Sequence, residues 1–187
     1  MRVTNDLTAI IVLDDVLSIR ERKDFLDYAV AEASSRHAPD EGLGLGEYQM
    51  MLAERILHAW DKAKRWLPFH EEVVTSIELE LAIYKEGEPL HADDELEEDR
   101  NRFMNFICFL HEPPRRFSGG RIRIWEIHED EQGKVLTGRT NTVHSLQNQI
   151  VFLESCLPYE VSPVKYFSDD IAHCLFVVRG WLRHAAC

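Results

Sequence analysis

Cysteine is scarce in this chain, and no two of its four cysteines, Cys108, Cys156, Cys174 and Cys187, stand in C-x-x-C spacing. No dithiol motif is present, so they read as small core residues or free thiols. Basic side chains are also short: 21 Lys and Arg stand against 33 Asp and Glu, a formal net charge of −12. Such a balance argues against a nucleic-acid backbone or an anionic membrane as partner. No apolar run approaches the roughly 18–20 residues of a membrane span. The opening MRVTND shows no signal-peptide h-region, and the expected location is cytoplasmic. Glycine is sparse, and Gly42, Gly44 and Gly46 lack the spacing of a phosphate loop.

What is present suits one packed domain. Hydrophobic residues make up 45% of 187 positions, enough for a core and against global disorder. The segment Ala9–Leu13 reads as a short buried strand. Ser18 and Glu21 have capping-box spacing, and the helix they open turns Phe25, Leu26 and Ala29 to one side. A second helix is expected from about Glu47 to Trp66, where Leu52, Ile56, Ala59, Trp60 and Ala63 recur at helical spacing and Pro68 ends it. Trp60 and Trp66 are both expected in the core. From Val73 onward the pattern is that of strands. Arg102–Leu110 is apolar enough to be buried on both faces, and Arg121–Ile127 alternates Ile122 and Ile124 against Arg121, Arg123 and Trp125. Further strands are expected at Gln149–Leu153, around Val161 and Val164, and at Cys174–Leu182. Two helices followed by at least seven short strands read as α+β, with a closed or sandwiched sheet.

The segment that organises the rest is Glu78–Asp94. Ile77, Leu79, Leu81 and Ile83 fall on one strand face, Glu78 and Glu80 on the other, and a turn then leads to His91-Ala92-Asp93. In extended chain, residues i and i+2 point to the same side, roughly 6.5–7 Å apart. An imidazole and a carboxylate so placed supply two of the three ligands of a 2-His-1-carboxylate iron triad. Their polar tips are expected within about 5 Å of each other in the barrel interior.

Five pieces in order carry a resemblance: AIIVLDDVLS, AIYKEGEPLHAD, RFMNFICFLHEPPRRFSGGRIRIW, QIVFLESCLPYEVSPV and VVRGWL. Together they resemble the prolyl-hydroxylase-like branch of the 2-oxoglutarate- and iron(II)-dependent oxygenases, over about residues 9–183. The resemblance implies a double-stranded β-helix (a jelly roll), with helical support over residues 1–70 and a barrel over 73–183, all in one domain over 1–187. It also implies that His91 and Asp93 hold iron(II). Three further positions depart from the family's pattern. Tyr159 stands where the distal histidine precedes E-V-x-P-V. Leu175 stands six residues before Trp181, where the family's arginine clamps the far carboxylate of 2-oxoglutarate. Phe109 replaces a tyrosine that helps hold the same cosubstrate. A phenol is a poor neutral-pH ligand for iron(II), and losing a guanidinium removes a charge-assisted clamp.

The resemblance therefore implies an iron-dependent hydroxylase-like oxidoreductase, a dioxygenase acting on a small molecule or a peptidyl side chain. Its metal set would be His91, Asp93 and Tyr159, and the altered positions argue against 2-oxoglutarate. The alternative is a degenerate barrel that serves as a binding or structural module. Tyr84, at the barrel mouth, joins Phe109 and Leu175 as a cosubstrate-wall residue, and Arg179 is the nearest substitute cation, about 13 Å along the strand from Leu175. His144 or His173 could supply a third ligand. Arg121 and Arg123 read as a solvent-facing row, and His111, His128 and His184 as surface residues.

Overall fold

The computed structural model describes residues 2–3, 10–35, 43–67, 73–84, 90–91, 101–130 and 133–185. The strands are β1 (Arg2–Val3), β2 (Ile10–Asp14), β3 (Ser76–Ile83), β4 (Leu90–His91), β5 (Arg102–Leu110) and β6 (Phe117–Ser118). They continue as β7 (Ile122–Asp130), β8 (Gly133–Val143), β9 (Gln149–Glu154), β10 (Tyr159–Val161), β11 (Lys165–Tyr166) and β12 (Phe176–Arg183). Two α-helices are described, α1 (Ile19–Ser35) and α2 (Gln49–Ala63).

Helix α1 begins where the capping box predicts. The Ser18 amide donates to Glu21 Oε2 at 2.9 Å, and the Glu21 amide donates to Ser18 Oγ at 3.3 Å. Glu21 Oε1 also accepts from Arg55 Nε at 2.9 Å and Nη2 at 2.6 Å, which ties α1 to α2. The Arg55 guanidinium and the Ser18 cap hold the Glu21 carboxyl down, from 4.5 to about 2.

The strands form a six-stranded antiparallel sheet, in the order β1-β2-β9-β5-β12-β3, and a four-stranded sheet in the order β4-β10-β7-β8. A two-stranded pair, β11-β6, completes the described strands. Central strand β5 explains why the larger sheet is a wall between two cores. Its even side chains Met104, Phe106, Cys108 and Leu110 join Phe25, Leu52, Ile56 and Trp60 of the helices. Its odd side chains Ile107 and Phe109 join Ile122 and Ile124 of β7 and Tyr159 and Val161 of β10. Period-2 alternation on a strand buried on both faces thus builds both cores at once.

Strand β3 divides the same way. Ile77, Leu79, Leu81 and Ile83 belong with the helix-side core, so Glu78 and Glu80 turn to the barrel side. There Glu80 meets Arg179, and Glu78 meets Arg183 and, at 2.6 Å, Arg102. The Arg102 guanidinium also lies 3.9 Å over the ring of Trp181. The chain enters α1 around Asn148, whose Oδ1 accepts from the Leu17 amide at 2.9 Å and whose Nδ2 donates to the Leu17 carbonyl at 2.7 Å.

Two expectations need correction. Trp60 is buried, but Trp66 is 58% exposed, because it sits in a 3-10 turn past the amphipathic stretch. His111 is not a surface residue: it is 6% exposed, its amide donates to Gln147 Oε1 at 2.6 Å, and its ring packs edge-on against Phe117. Burial lowers its pKa below the usual imidazole value. The acidic run at 94–99 and the turn at 85–89 lie outside the described residues. Among the described residues no helix is long and apolar enough to cross a membrane.

Candidate functional site

Strand pairing brings the predicted segments to the barrel between the two sheets. β4 is hydrogen-bonded to β10, with His91 opposite Glu160 and Leu90 opposite Val161. On its other edge β10 pairs with β7, with Tyr159 opposite Ile124. Tyr159 is 7% exposed and packs in the barrel core. The imidazole of His91 and all of Asp93 lie outside the described residues, as does the expected closeness of their polar tips.

Tyr84, Phe109 and Leu175 share that core with Tyr159. Phe109, on β5, faces Val177 of β12 across one strand boundary and Gln149 of β9 across the other. Leu175 is fully buried. The Gly119-Gly120 turn comes so close to it that a Cβ on Gly120 would lie 2.8 Å from Leu175 Cδ2; Gly120 also has φ +67°. The position that the resemblance gives to a clamp is thus an apolar contact.

A clasp locks the main chain at this end of the barrel. The Tyr84 amide donates to the Leu175 carbonyl at 3.1 Å. Tyr166 Oη donates to the Tyr84 carbonyl and accepts from the Leu175 amide, the latter at 3.3 Å. Residue-by-residue reading passed over Tyr166, since it lies in the long segment between Tyr159 and Leu175. An aromatic residue placed midway in that insertion was the available signal.

The side chain of Tyr84 differs from its backbone in having no partner among the described residues. Its hydroxyl is buried and makes no hydrogen bond among the described residues. Burial, with the nearby Tyr159, pushes its pKa well above the usual phenol value, while the Arg179 guanidinium pulls the other way. Tyr84 therefore keeps its proton at working pH and offers a donor to the barrel interior.

Arg179 lies on the same face of β12 as Leu175 and Val177, opposite Glu80 of β3 and Ile107 of β5. Its guanidinium is already engaged, with Nε 3.0 Å from Glu80 Oε2 and Nη2 3.2 Å from Oε1. Among the proposed third ligands, His144 is exposed, and His173 is half-buried with Nδ1 2.9 Å from Ser168 Oγ.

The resemblance implies iron(II) and 2-oxoglutarate, and the described donors can be tested against both. Among the described residues, a carboxylate buried against Leu175, Phe109 and Val177 would meet no uncommitted cation, since Arg179 is paired with Glu80. Among the described residues no group of three His, Cys, Asp or Glu is placed to hold a metal. Tyr159 is the described member of the expected metal set.

No protein-family model matches the chain. An uncharacterized PKHD-type hydroxylase of Synechocystis sp. is 27% identical over 135 residues, covering 71% of this chain and 45% of that protein. The match therefore spans under half the length of that relative. A Pseudomonas putida prolyl-4-hydroxylase superposes with TM-score 0.65 at 16% identity, covering 96% of this chain and 95% of the other. A Trichoplax adhaerens prolyl hydroxylase, solved with a hypoxia inducible factor oxygen degradation domain peptide fragment, gives TM-score 0.57 at 10% identity, covering 93% and 83%. In sequence and in fold, the chain resembles the prolyl 4-hydroxylase-like branch of the 2-oxoglutarate- and iron(II)-dependent oxygenases.

Proposed function

We propose that this chain is an iron-dependent hydroxylase-like oxygenase acting on a small molecule or a peptidyl side chain, with an altered cosubstrate wall. The observation that carries the reading is the likeness in fold to a prolyl-4-hydroxylase over 96% of this chain, together with the 27% identical PKHD-type relative. β4 lies beside β10 with His91 opposite Glu160, the residue next to Tyr159; paired residues share a sheet face, so this register alone does not set His91 on the side of β10 that carries Tyr159. His91, Asp93 and Tyr159 would hold the iron, which supplies the capacity to activate oxygen when bound. Around it, Phe109, Leu175 and Val177 exclude water, and the Tyr84 hydroxyl donates a hydrogen bond to an acceptor on the bound molecule. The apolar wall favours a less charged organic acid, or the substrate itself, over 2-oxoglutarate.

The second reading, a barrel without chemistry, has its support in the same wall. Full burial of Leu175 and Phe109 is also what a plain hydrophobic core looks like. Metal stoichiometry and calorimetry separate the two. Expected are about one iron per chain in the wild type, loss of iron in His91→Ala and Asp93→Ala, and weak 2-oxoglutarate binding. Iron(III) loading should give a phenolate charge-transfer band that Tyr159→Phe abolishes. Absence of stoichiometric iron would reject the oxygenase reading in favour of the binding module. Micromolar 2-oxoglutarate affinity would reject the altered wall.

A further inference from the structure

The acidic chain carries one concentrated basic stretch. Between Pro113 and Trp125 stand four arginines, Arg115, Arg116, Arg121 and Arg123, and no carboxylate, in a chain of net charge −12. Elsewhere Arg20, Arg55, Arg102, Arg179 and Arg183 each meet an Asp or Glu. In contrast, the side chains of Arg121 and Arg123 have no ion-pair or hydrogen-bond partner among the described residues. Both are exposed, on the face of β7 opposite the buried Ile122 and Ile124.

These two arginines line a cleft of about 370 Å³ together with Thr142, Glu160, Ser162 and Gly119. Its floor is a cross-strand row in which Arg123 faces Thr142 on one side and Glu160 on the other. Ser162 fixes the rim: its amide donates to the Arg121 carbonyl at 2.8 Å, and its Oγ accepts from the Arg121 amide at 3.0 Å. The Ser162 hydroxyl proton is left to donate elsewhere. Arg115 adds charge without relieving any, since it donates to the carbonyls of Phe117 at 3.0 Å, Gly119 at 2.5 Å and Ser145 at 3.4 Å. Burial and the charge of Arg121 lower the Arg115 pKa.

The mixture of groups selects among anions. Glu160 stands in the cleft and repels a compact dianion such as phosphate, while it can accept backbone N–H bonds. Arg121 and Arg123, two apart at the start of β7, stand at the roughly 6.5–7 Å Cα repeat that alternate residues of an extended peptide share. We infer that this cleft docks an extended peptide segment carrying Asp or Glu at alternate positions, with its carboxylates on Arg121 and Arg123 and its backbone against Glu160, Ser162 and Thr142. The inference deepens the reading above by naming the substrate class. It rests on that reading only for the step that the docked peptide is the molecule hydroxylated.

Calorimetric titration of the metal-free protein tests it with two synthetic peptides, GAEAEAEAG and GAKAKAKAG, and with inorganic phosphate. The glutamate peptide is expected to bind saturably and to weaken as salt rises from low to physiological, since the contacts are charged and exposed. Arg121→Ala/Arg123→Ala should weaken it about tenfold, the combined effect of two exposed charge contacts of under 1 kcal/mol each. Arg121→Lys/Arg123→Lys should recover part of the loss, and circular dichroism reports that each variant folds. No saturable binding, equal binding of the lysine peptide, or an unchanged double-alanine variant would overturn the proposal. Phosphate binding as tight as the glutamate peptide would make this a free-anion site and overturn it too. Because the titration needs neither iron nor turnover, peptide binding without iron uptake would leave the cleft standing and reject only the oxygenase reading.

Discussion

Replacing Tyr84 by Phe should stabilise the ligand-free protein, the reverse of what trimming a buried polar group normally does. The Tyr84 hydroxyl is buried without a hydrogen-bond partner among the described residues. A buried polar group left unsatisfied costs about 1–3 kcal/mol. Removing it deletes that penalty and leaves only a void of one oxygen, so a net gain of about 1–2 kcal/mol is expected. For a domain of this size that is a rise in Tm of roughly 2–8 °C, at about 2–4 °C per kcal/mol. Tyr166 is the internal control, since it sits at the same end of the barrel with its hydroxyl fully used, on the Tyr84 carbonyl and the Leu175 amide. Tyr166→Phe should destabilise by about 1–3 kcal/mol, because it orphans a buried carbonyl and a buried amide. Urea unfolding of metal-free wild type, Tyr84→Phe and Tyr166→Phe, with matched m-values, gives both signs. If Tyr84→Phe loses more than about half a kcal/mol, the hydroxyl has a partner within the folded chain and its assignment as a donor to a bound molecule is wrong.

The other predictions bear on the metal, the cosubstrate and the frame. Tyr159→His should tighten iron(II) binding in a metal titration by supplying a neutral nitrogen ligand; no change would mean that position 159 does not border the metal. Glu80→Gln should release the Arg179 guanidinium and raise 2-oxoglutarate affinity by calorimetry, whereas unchanged weak binding would show Arg179 to be out of reach of the ligand. The Glu21 carboxyl, held at about 2 against 4.5 unfolded, contributes stability that is full above pH 4.5 and lost as pH falls toward 2. Glu21→Gln should therefore lower stability at pH 7 by about 1 kcal/mol and flatten the acid limb between those values, as followed by thermal unfolding. Gly180→Ala should prevent normal pairing of β3 with β12, since its Cβ would fall 1.8 Å from the Glu78 carbonyl oxygen; a soluble variant with wild-type Tm would contradict that packing.

Local signals in the sequence carried much of the frame, because they depend on residues close in the chain. The Ser18–Glu21 cap is a contact across three residues, and the period of β5 and β7 is a property of each strand alone. On β3, alternation separated Ile77, Leu79, Leu81 and Ile83 from Glu78 and Glu80. It could not say that the acidic face would be the barrel side, because that depends on Arg102, Arg179 and Arg183 arriving from other strands. His111 was misread for the same reason. Its neighbours Pro113 and Pro114 indicate a loop, while its burial comes from Gln147 and Phe117. Of the site, the ordered pieces gave the strands that frame it. The Tyr166 clasp was beyond reach, since it joins residues 82 positions apart.

The altered cosubstrate wall is distributed over several residues, and that bears on whether one substitution could restore a clamp. Leu175→Arg would place a guanidinium among Phe109, Val177 and the Gly120 turn, where no carboxylate stands among the described residues. A buried charge without a partner is strongly destabilising, by about 3–5 kcal/mol when measured by breaking a buried pair. The cation that does reach this face, Arg179, is neutralised by Glu80, itself fixed on β3, the strand that runs directly into Tyr84. The same strand and the residue after it thus supply the acid that occupies Arg179 and the phenol with an unused hydroxyl. On the proposed reading the barrel would recognise its ligand through a neutral donor at Tyr84 and not through a charged clamp at Leu175, and a neutral donor selects for an acceptor that need not be a carboxylate. A molecule recognised in that way is held by one hydrogen bond and by apolar contact, so its affinity should depend little on salt, unlike that of the arginine cleft on the other face of the smaller sheet.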